Sequence, residues 1–343
     1  MTGMPSASPA ARLLQQRATF LIAEVSCNHM GRFDVLQQTI EAAFGAGADA
    51  VKLQSSEPDC LTRNFDGPEF RVDAPESPWN GTHLYDLYER TCTPIAWPWQ
   101  MIREYRQAGK LVFSTPFSPR MVDLLEAEAG PELYKVSSID WNYIELIDRC
   151  LQTSKPVLVS LVKPSVQLPV LRKHVIGSFI PMYCVSKYPA QPEHFNMSEL
   201  AYLVREAPEG FGFSDHSMSH AMASLAVAHG AAIVEKHFKL DESVESDDAT
   251  FSVTPAQFAE LSRVCGEVAA ARRSAADATT IPVGRSIYVD RDIRAGEVIE
   301  RGMLCVIRPG GGLPPTELAR VVGRRARVDL GRGVRLQPGD TSD

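Results

Sequence analysis

Between Phe20 and about Arg273, short apolar runs of β-forming residues alternate eight times with longer amphipathic segments, and few folds accept that many repeats of one pattern. The runs are FLIAEVS (20–26), DAVKLQS (49–55), LVFSTPF (111–117), LYKVSS (133–138), PVLVSL (156–161), FIPMYCVS (179–186), GFGFSD (210–215) and AIVEKHF (232–238). Between them, segments such as DVLQQTIEAAFGAG, PRMVDLLEAEAG, NYIELIDRCLQTS and HAMASLAVAHGA repeat apolar residues every three to four positions, and they often stop at a Gly or before a Pro. Repeated βα units of this kind build a parallel sheet, and eight of them predict an α/β fold closed as a (β/α)8 barrel. An open doubly wound sheet usually has fewer strands and a glycine fingerprint after the first, and no GxGxxG follows Ser26.

The same reading divides the chain into four parts. Residues 1–18 lack a long apolar core or a charged leader before one, and read as a flexible tail rather than a signal peptide. The barrel is expected over 19–273. Residues 274–284, polar and poor in apolar side chains, read as a linker, and 285–343, with short β-runs and repeated Gly turns, as a small β-rich domain of marginal core. Inside the barrel, the insertion containing PESPWNGTHLYDLYERTCTPIAW exceeds an ordinary βα connection and is placed to cover the barrel mouth. A formal charge of −7 without clustered Lys or Arg argues against nucleic acid or an anionic membrane as main partner, and no run approaches the roughly 20 apolar residues of a membrane span. Seven cysteines without CxxC or paired spacing suit reduced thiols and a cytoplasmic protein.

Reactive groups of a barrel come from the carboxyl ends of its strands, and those ends are consistently polar here. They carry Glu24, Lys52 and Gln54, Ser114 and Thr115, Lys135 and Ser138, Ser160, Ser186, Ser214 with Asp215 and His216, and Lys236 and His237. Two imidazoles at one rim make a natural site for a divalent metal. Lys52 and Lys135 inside apolar runs cost several kcal/mol unless each meets an anion, which a substrate phosphate or carboxylate, or a barrel carboxylate such as Glu24, could supply. No GxSxG, HExxH or P-loop is present, so hydrolase and nucleoside-triphosphate readings lack their usual supports.

The segments IAEVSCNHMG, GADAVKLQS, FSTPFS, YKVSS, CVSKYPAQPEHFN, FSDHS and VEKHF, followed by RPGGG, resemble the sialic acid synthase family in the same order from Phe20 onward. The resemblance implies a (β/α)8 barrel followed by an antifreeze-like (SAF) domain, and condensation of phosphoenolpyruvate with an open-chain N-acyl amino sugar. It implies that His216 and His237 hold Mn2+ or Mg2+ and that Glu24 lies near the metal. Lys52, Gln54 and Lys135, with Ser138, Ser160, Ser186, Tyr188 and Ser214, fall at substrate-binding positions, and Asp248 matches an aspartate that touches the sugar. Arg308 of RPGGG matches an arginine that reaches a partner's barrel in a domain-swapped homodimer. LYDLYERTCTP, Trp97 and DDATFSVTP look closer to the pseudaminate branch.

Three departures from the family pattern fall on the rim. Asp140 stands where the family places the glutamate that takes a proton from water, shortening its reach by about 1.5 Å. SLVKP replaces the common STGM, putting Leu161 and Val162 in place of Thr and Gly, and ESVESDDATFS lacks the common PGPD. These departures bear on the acceptor sugar more than on the reaction. They also keep a catalytically silent sugar-binding homologue in view, while paired histidines and buried lysines would equally suit another metal-dependent barrel aldolase or isomerase.

Overall fold

The structure is a computed structural model that describes residues 19–75, 77, 79–208, 210–273 and 284–342. The tail expected over 1–18, and all of the expected linker but Gly284, lie outside the described residues. Those residues fall into two compact units, one ending at Arg273 and the other formed by the residues from 284 onward.

Eight parallel strands close the first unit: β1 (Phe20–Glu24), β2 (Ala50–Ser55), β3 (Leu111–Pro116), β4 (Tyr134–Val136), β5 (Val157–Leu161), β6 (Ile180–Cys184), β7 (Gly212–Asp215) and β8 (Ile233–His237). Helices return the chain between them: α1 (Phe33–Gly45) after β1, then α2 (Pro58–Leu61), α3 (Leu84–Thr91) and α4 (Ala96–Gln107) in the long insertion after β2. They continue with α5 (Pro119–Glu128), α6 (Ile144–Leu151), α7 (Pro164–His174), α8 (Met197–Glu206), α9 (Ala221–Ala228) and α10 (Pro255–Arg273). Punctuation predicted from the residues is visible at α5, where Ser118 accepts from the backbone N–H of Met121 at 3.3 Å and Pro119 occupies the first helical position.

Strand alternation sorts the barrel into two shells. Leu21, Ala23, Val51, Leu53, Val112, Val157, Val159, Phe213 and Val234 face outward beneath the helices, in one core with Leu36, Ile40, Leu125 and Leu261. Phe20, Ile22, Ala50, Leu111, Phe113, Leu133, Leu158, Met182 and Ile233 fill the amino-terminal half of the interior. Gly212 permits this filling, because a Cβ there would lie 2.8 Å from Met182 Cγ. Above that apolar plug the same inward positions turn polar, so the plug is a dry base under a polar site.

Alternation also corrects four rim assignments, among them Leu161, which is fully buried in the outer core with Val157 and Val159, and Asp215, one residue out of phase with Ser214. Ser114 points outward, its hydroxyl 2.7 Å from that of Ser55, and Lys236 points outward to an ion pair with Asp215 at 2.7 Å. None of the four faces the interior; Ser114 and Lys236 are each one residue out of phase with Thr115 or His237.

The second unit pairs β9 (Ser286–Val289) antiparallel with β10 (Leu304–Ile307) and adds α11 (Leu318–Val321). Its own core joins Ile287, Val289, Ile293, Ile299, Met303, Leu304, Leu330 and Leu336. In the RPGGG turn, Gly312 lies so close to the chain that a Cβ would come within 2.5 Å of the Leu336 carbonyl oxygen. Only glycine fits there, and the turn leaves the preceding Arg308 exposed.

Candidate active site

Register sets the site. Glu24 on β1 pairs level with Lys52 on β2 and with His237 on β8, and all three are inward positions. A cavity of about 570 Å³ opens above them at the carboxyl ends of the strands. Leu84, Leu87, Tyr88 and Thr91 from α3, with Trp79 and Cys92 beside it, line this cavity, so the insertion after β2 does cover the barrel mouth.

The floor is a compensated charge cluster. Lys52 Nζ lies 2.6 Å from Glu24 Oε2 and 3.3 Å from Glu235 Oε1, and donates to Thr115 Oγ1 at 3.2 Å. Lys135 Nζ donates to Glu235 Oε1 at 2.7 Å and to Ser214 Oγ at 3.2 Å, and Ser214 donates to the same oxygen at 2.9 Å. Exposure is 1% for Glu24, 6% for Lys52, 2% for Lys135 and 3% for Glu235. Burial opposes ionisation of Glu235, yet Lys135 and Lys52 hold its carboxyl far below the usual range. Burial and the like charge of Glu235 push Glu24 up, against the pull of Lys52. Burial likewise outweighs Glu235 at Lys135, whose pKa falls, whereas the two carboxylates keep Lys52 above its ordinary value.

Both lysines therefore meet barrel carboxylates, the second of the two possibilities the sequence left open. Glu235 is the residue sequence reasoning missed. An ammonium has three donors; those of Lys52 all face partners, whereas Lys135 has two partners among the described residues and so one donor to spare.

Around this floor the expected residues gather. Gln54 donates to Glu24 Oε1 at 3.1 Å and to Ser26 Oγ at 2.9 Å. Ser26 holds a left-handed φ of 49° and donates its hydroxyl to Asp248, whose carboxyl burial pushes up to about 6. Such strain is sustained because both hydrogen bonds fix the turn. Ser138 and Ser186 share a hydrogen bond of 2.7 Å, while the buried Ser160 hydroxyl lines the cavity with no partner among the described residues. Tyr188 stacks 4.5 Å from the His216 ring and 4.9 Å from Phe251. Asp140 reaches the cavity beside Tyr88 and Tyr143, and burial raises its pKa to about 6. Arg308 belongs to the second unit.

The imidazoles suit a divalent ion. His216 donates Nδ1–H to the Val185 carbonyl at 2.8 Å, which orients the ring and, in its neutral form, leaves the Nε2 lone pair for a metal; against burial, Cys184 and that carbonyl favour the protonated ring. His237 is buried, its Nδ1 has no hydrogen-bond partner among the described residues, and burial, with His216 beside it, holds its pKa well below normal, which favours the neutral form that a metal needs. The ring centroids are 5.4 Å apart. Among the described residues no three His, Cys, Asp or Glu side chains form a metal cage, so two imidazoles would leave an ion open to substrate. The charges of Glu24, Glu235, Lys52 and Lys135 sum to zero, and an added dication would leave the floor positive toward an anionic ligand.

Comparisons with known proteins agree with this architecture. The model of the NeuB family matches residues 39–276 and that of the SAF domain residues 284–340. The chain is 31% identical over 338 residues to a pseudaminic acid synthase of Campylobacter jejuni, covering 94% of this chain and 97% of that protein. It is 27% identical to an N,N'-diacetyllegionaminic acid synthase of Legionella pneumophila, covering 92% and 93%. The N-acetylneuraminic acid synthetase structure from Leptospira borgpetersenii superposes with a TM-score of 0.63 at 24% identity, over 75% of this chain and 86% of that one, a likeness of fold.

Proposed function

The chain belongs to the NeuB family, and on that premise we propose that it condenses phosphoenolpyruvate with the open-chain aldehyde of an N-acyl hexosamine, giving a nine-carbon 2-keto acid and inorganic phosphate. The observation that carries this reading is the cavity floor, where a lysine with a spare donor, a ring of hydroxyls and two buried imidazoles meet above an apolar plug. A di-N-acetyl 6-deoxyhexose is the acceptor we favour, because the pseudaminic acid synthase above is 31% identical over nearly the whole chain.

In this scheme Lys135, with Ser138, Ser160, Ser186 and Ser214, binds the phosphate and carboxylate oxygens of phosphoenolpyruvate, and Lys52, whose donors are taken, adds positive charge beside them. Gln54, Tyr188 and Asp248 orient the sugar, and Glu24 keeps Lys52 in place. A divalent ion, Mn2+ or Mg2+, held by His216 and His237 would supply Lewis acidity toward the aldehyde oxygen. Carbon 3 of phosphoenolpyruvate forms the new bond to the aldehyde carbon, water adds at carbon 2, and Asp140 takes the proton of that water. Collapse then breaks the carbon–oxygen bond to phosphate. All seven cysteines are free, in keeping with a cytoplasmic enzyme. We also propose a domain-swapped homodimer in which Arg308 enters the partner's barrel. Arg308→Ala should then raise KM for the sugar several-fold more than KM for phosphoenolpyruvate, and equal increases would contradict that placement.

Asp140 gives a test with opposite signs in rate and stability. As a base it must be ionised, so kcat/KM should rise with pH through about 6 and Asp140→Asn should lose about 100-fold or more at pH 7.5. The folded pKa lies above the ordinary 3.8, so the folded state binds the proton more tightly. Its contribution to stability is full below 3.8 and is lost as pH rises through about 6. Asp140→Asn should therefore raise Tm more at pH 7.5 than at pH 5, and thermal melts showing the reverse order would remove the buried-base assignment.

A further inference from the structure

We propose that Arg90 and Asp247 form a clasp that holds α3 over the cavity and thereby sets affinity for the acceptor sugar, with Arg90 acting as a positioning residue. The proposal rests on the synthase reading above and adds a residue outside the reacting groups.

Leu84, Leu87, Tyr88 and Thr91 follow the spacing i, i+3, i+4, i+7, so a single face of α3 roofs the cavity. This helix has eight residues and no side-chain N-cap, and Leu87 is its one fully buried residue. A helix so short does not hold its place by propensity and depends on tertiary ties.

Arg90, off that face, provides one. Its Nε donates to Asp247 Oδ2 at 2.9 Å and its Nη2 to Oδ1 at 2.6 Å, joining segments 157 residues apart. Exposed ion pairs usually contribute little, but this one is bidentate and the Asp247 side chain is only 21% exposed. Asp247 lines the cavity, and the next residue, Asp248, accepts from Ser26 and lies 3.7 Å from His237 Nδ1. The clasp thus links the roof to the loop that carries Asp248. It also occupies Arg90 with a carboxylate, so this cation does not serve as an anion subsite. Because the pair lies at the mouth rather than on the floor, its loss falls on the sugar and not on phosphoenolpyruvate.

The test compares wild type with Arg90→Gln, Asp247→Asn and the charge-reversed Arg90→Asp/Asp247→Arg. Arg90→Gln should raise KM for the acceptor about fivefold while KM for phosphoenolpyruvate stays within about twofold. Amide hydrogen exchange over residues 84–91 should quicken in the same variant, and the charge-reversed pair should recover most of both effects. An unchanged acceptor KM, or an equal rise in both KM values, overturns the positioning role. If the wild type turns over no acceptor, the synthase reading fails by itself. Exchange over 84–91 then decides the clasp, and protection unchanged in Arg90→Gln overturns it.

Discussion

Glu235→Ala is expected to destabilise the barrel by about 3–5 kcal/mol and to abolish turnover, because it strips the carboxylate shared by two buried ammonium groups. Lys52 would keep Glu24 at 2.6 Å, but Lys135 would keep only the Ser214 hydroxyl. A buried cation without a counter-charge lowers its pKa or draws in water, and either outcome dismantles the floor. Glu235→Gln separates charge from packing, since it retains the volume and can still accept from Lys135. It should unfold at a denaturant concentration between those of wild type and Glu235→Ala, and Lys135 should shed its proton at lower pH in it. Urea unfolding of the three proteins checks this order; a Glu235→Ala barrel as stable as wild type would show that the charge cluster contributes nothing.

The second large effect concerns the imidazoles. His237→Ala and His216→Ala should each lower metal-dependent phosphate release by about 1,000-fold or more, since each would remove one of the two proposed protein ligands. Chelator treatment of the wild type should mimic the loss, and added Mn2+ should restore wild type but neither variant. His216→Ala also frees the Val185 carbonyl, which now accepts at 2.8 Å, so it should lose more stability than His237→Ala, whose Nδ1 has no hydrogen bond to forfeit among the described residues. Full activity in either variant would remove the pair from the reaction.

The barrel was legible because βα punctuation survives in sequence: Ser118–Pro119 opens α5, and the eight apolar runs appear as eight strands. Strand ends were less legible. LYKVSS predicts six residues, yet β4 spans Tyr134–Val136, since Ser137 and Ser138 leave the ladder and line the cavity. Facing was the harder matter, because a parallel strand covered on both sides is apolar on both sides and its pattern does not say which side is inward. Lys236 and Ser114 were assigned to the rim for that reason. Once His237 is fixed inward, counting back by two brings Glu235 beside it, so the missed carboxylate was readable given one anchor. Nothing local marks Arg90 or Asp247 as partners, since their pairing exists only after two distant segments meet above the barrel.

The floor also shows why a reading of buried charge needs a structure. Two lysines within apolar runs demand anions, and the chain supplies them itself through Glu24 and Glu235. An anionic substrate must then be attracted by what remains: one free donor on Lys135, the unpartnered hydroxyl of Ser160 and whatever charge the imidazoles hold. On the proposed reading, affinity for phosphoenolpyruvate should then depend on the divalent ion rather than on the lysines alone.

The most direct measurement uses phosphoenolpyruvate labelled with 18O at the oxygen bridging carbon and phosphorus, incubated with Mn2+ and a panel of N-acyl and di-N-acetyl hexoses. Condensation with carbon–oxygen cleavage predicts phosphate that retains the label, released only when both sugar and metal are present, together with an equal amount of nine-carbon keto acid. Label left in the keto acid, or phosphate released without any sugar, would contradict the account.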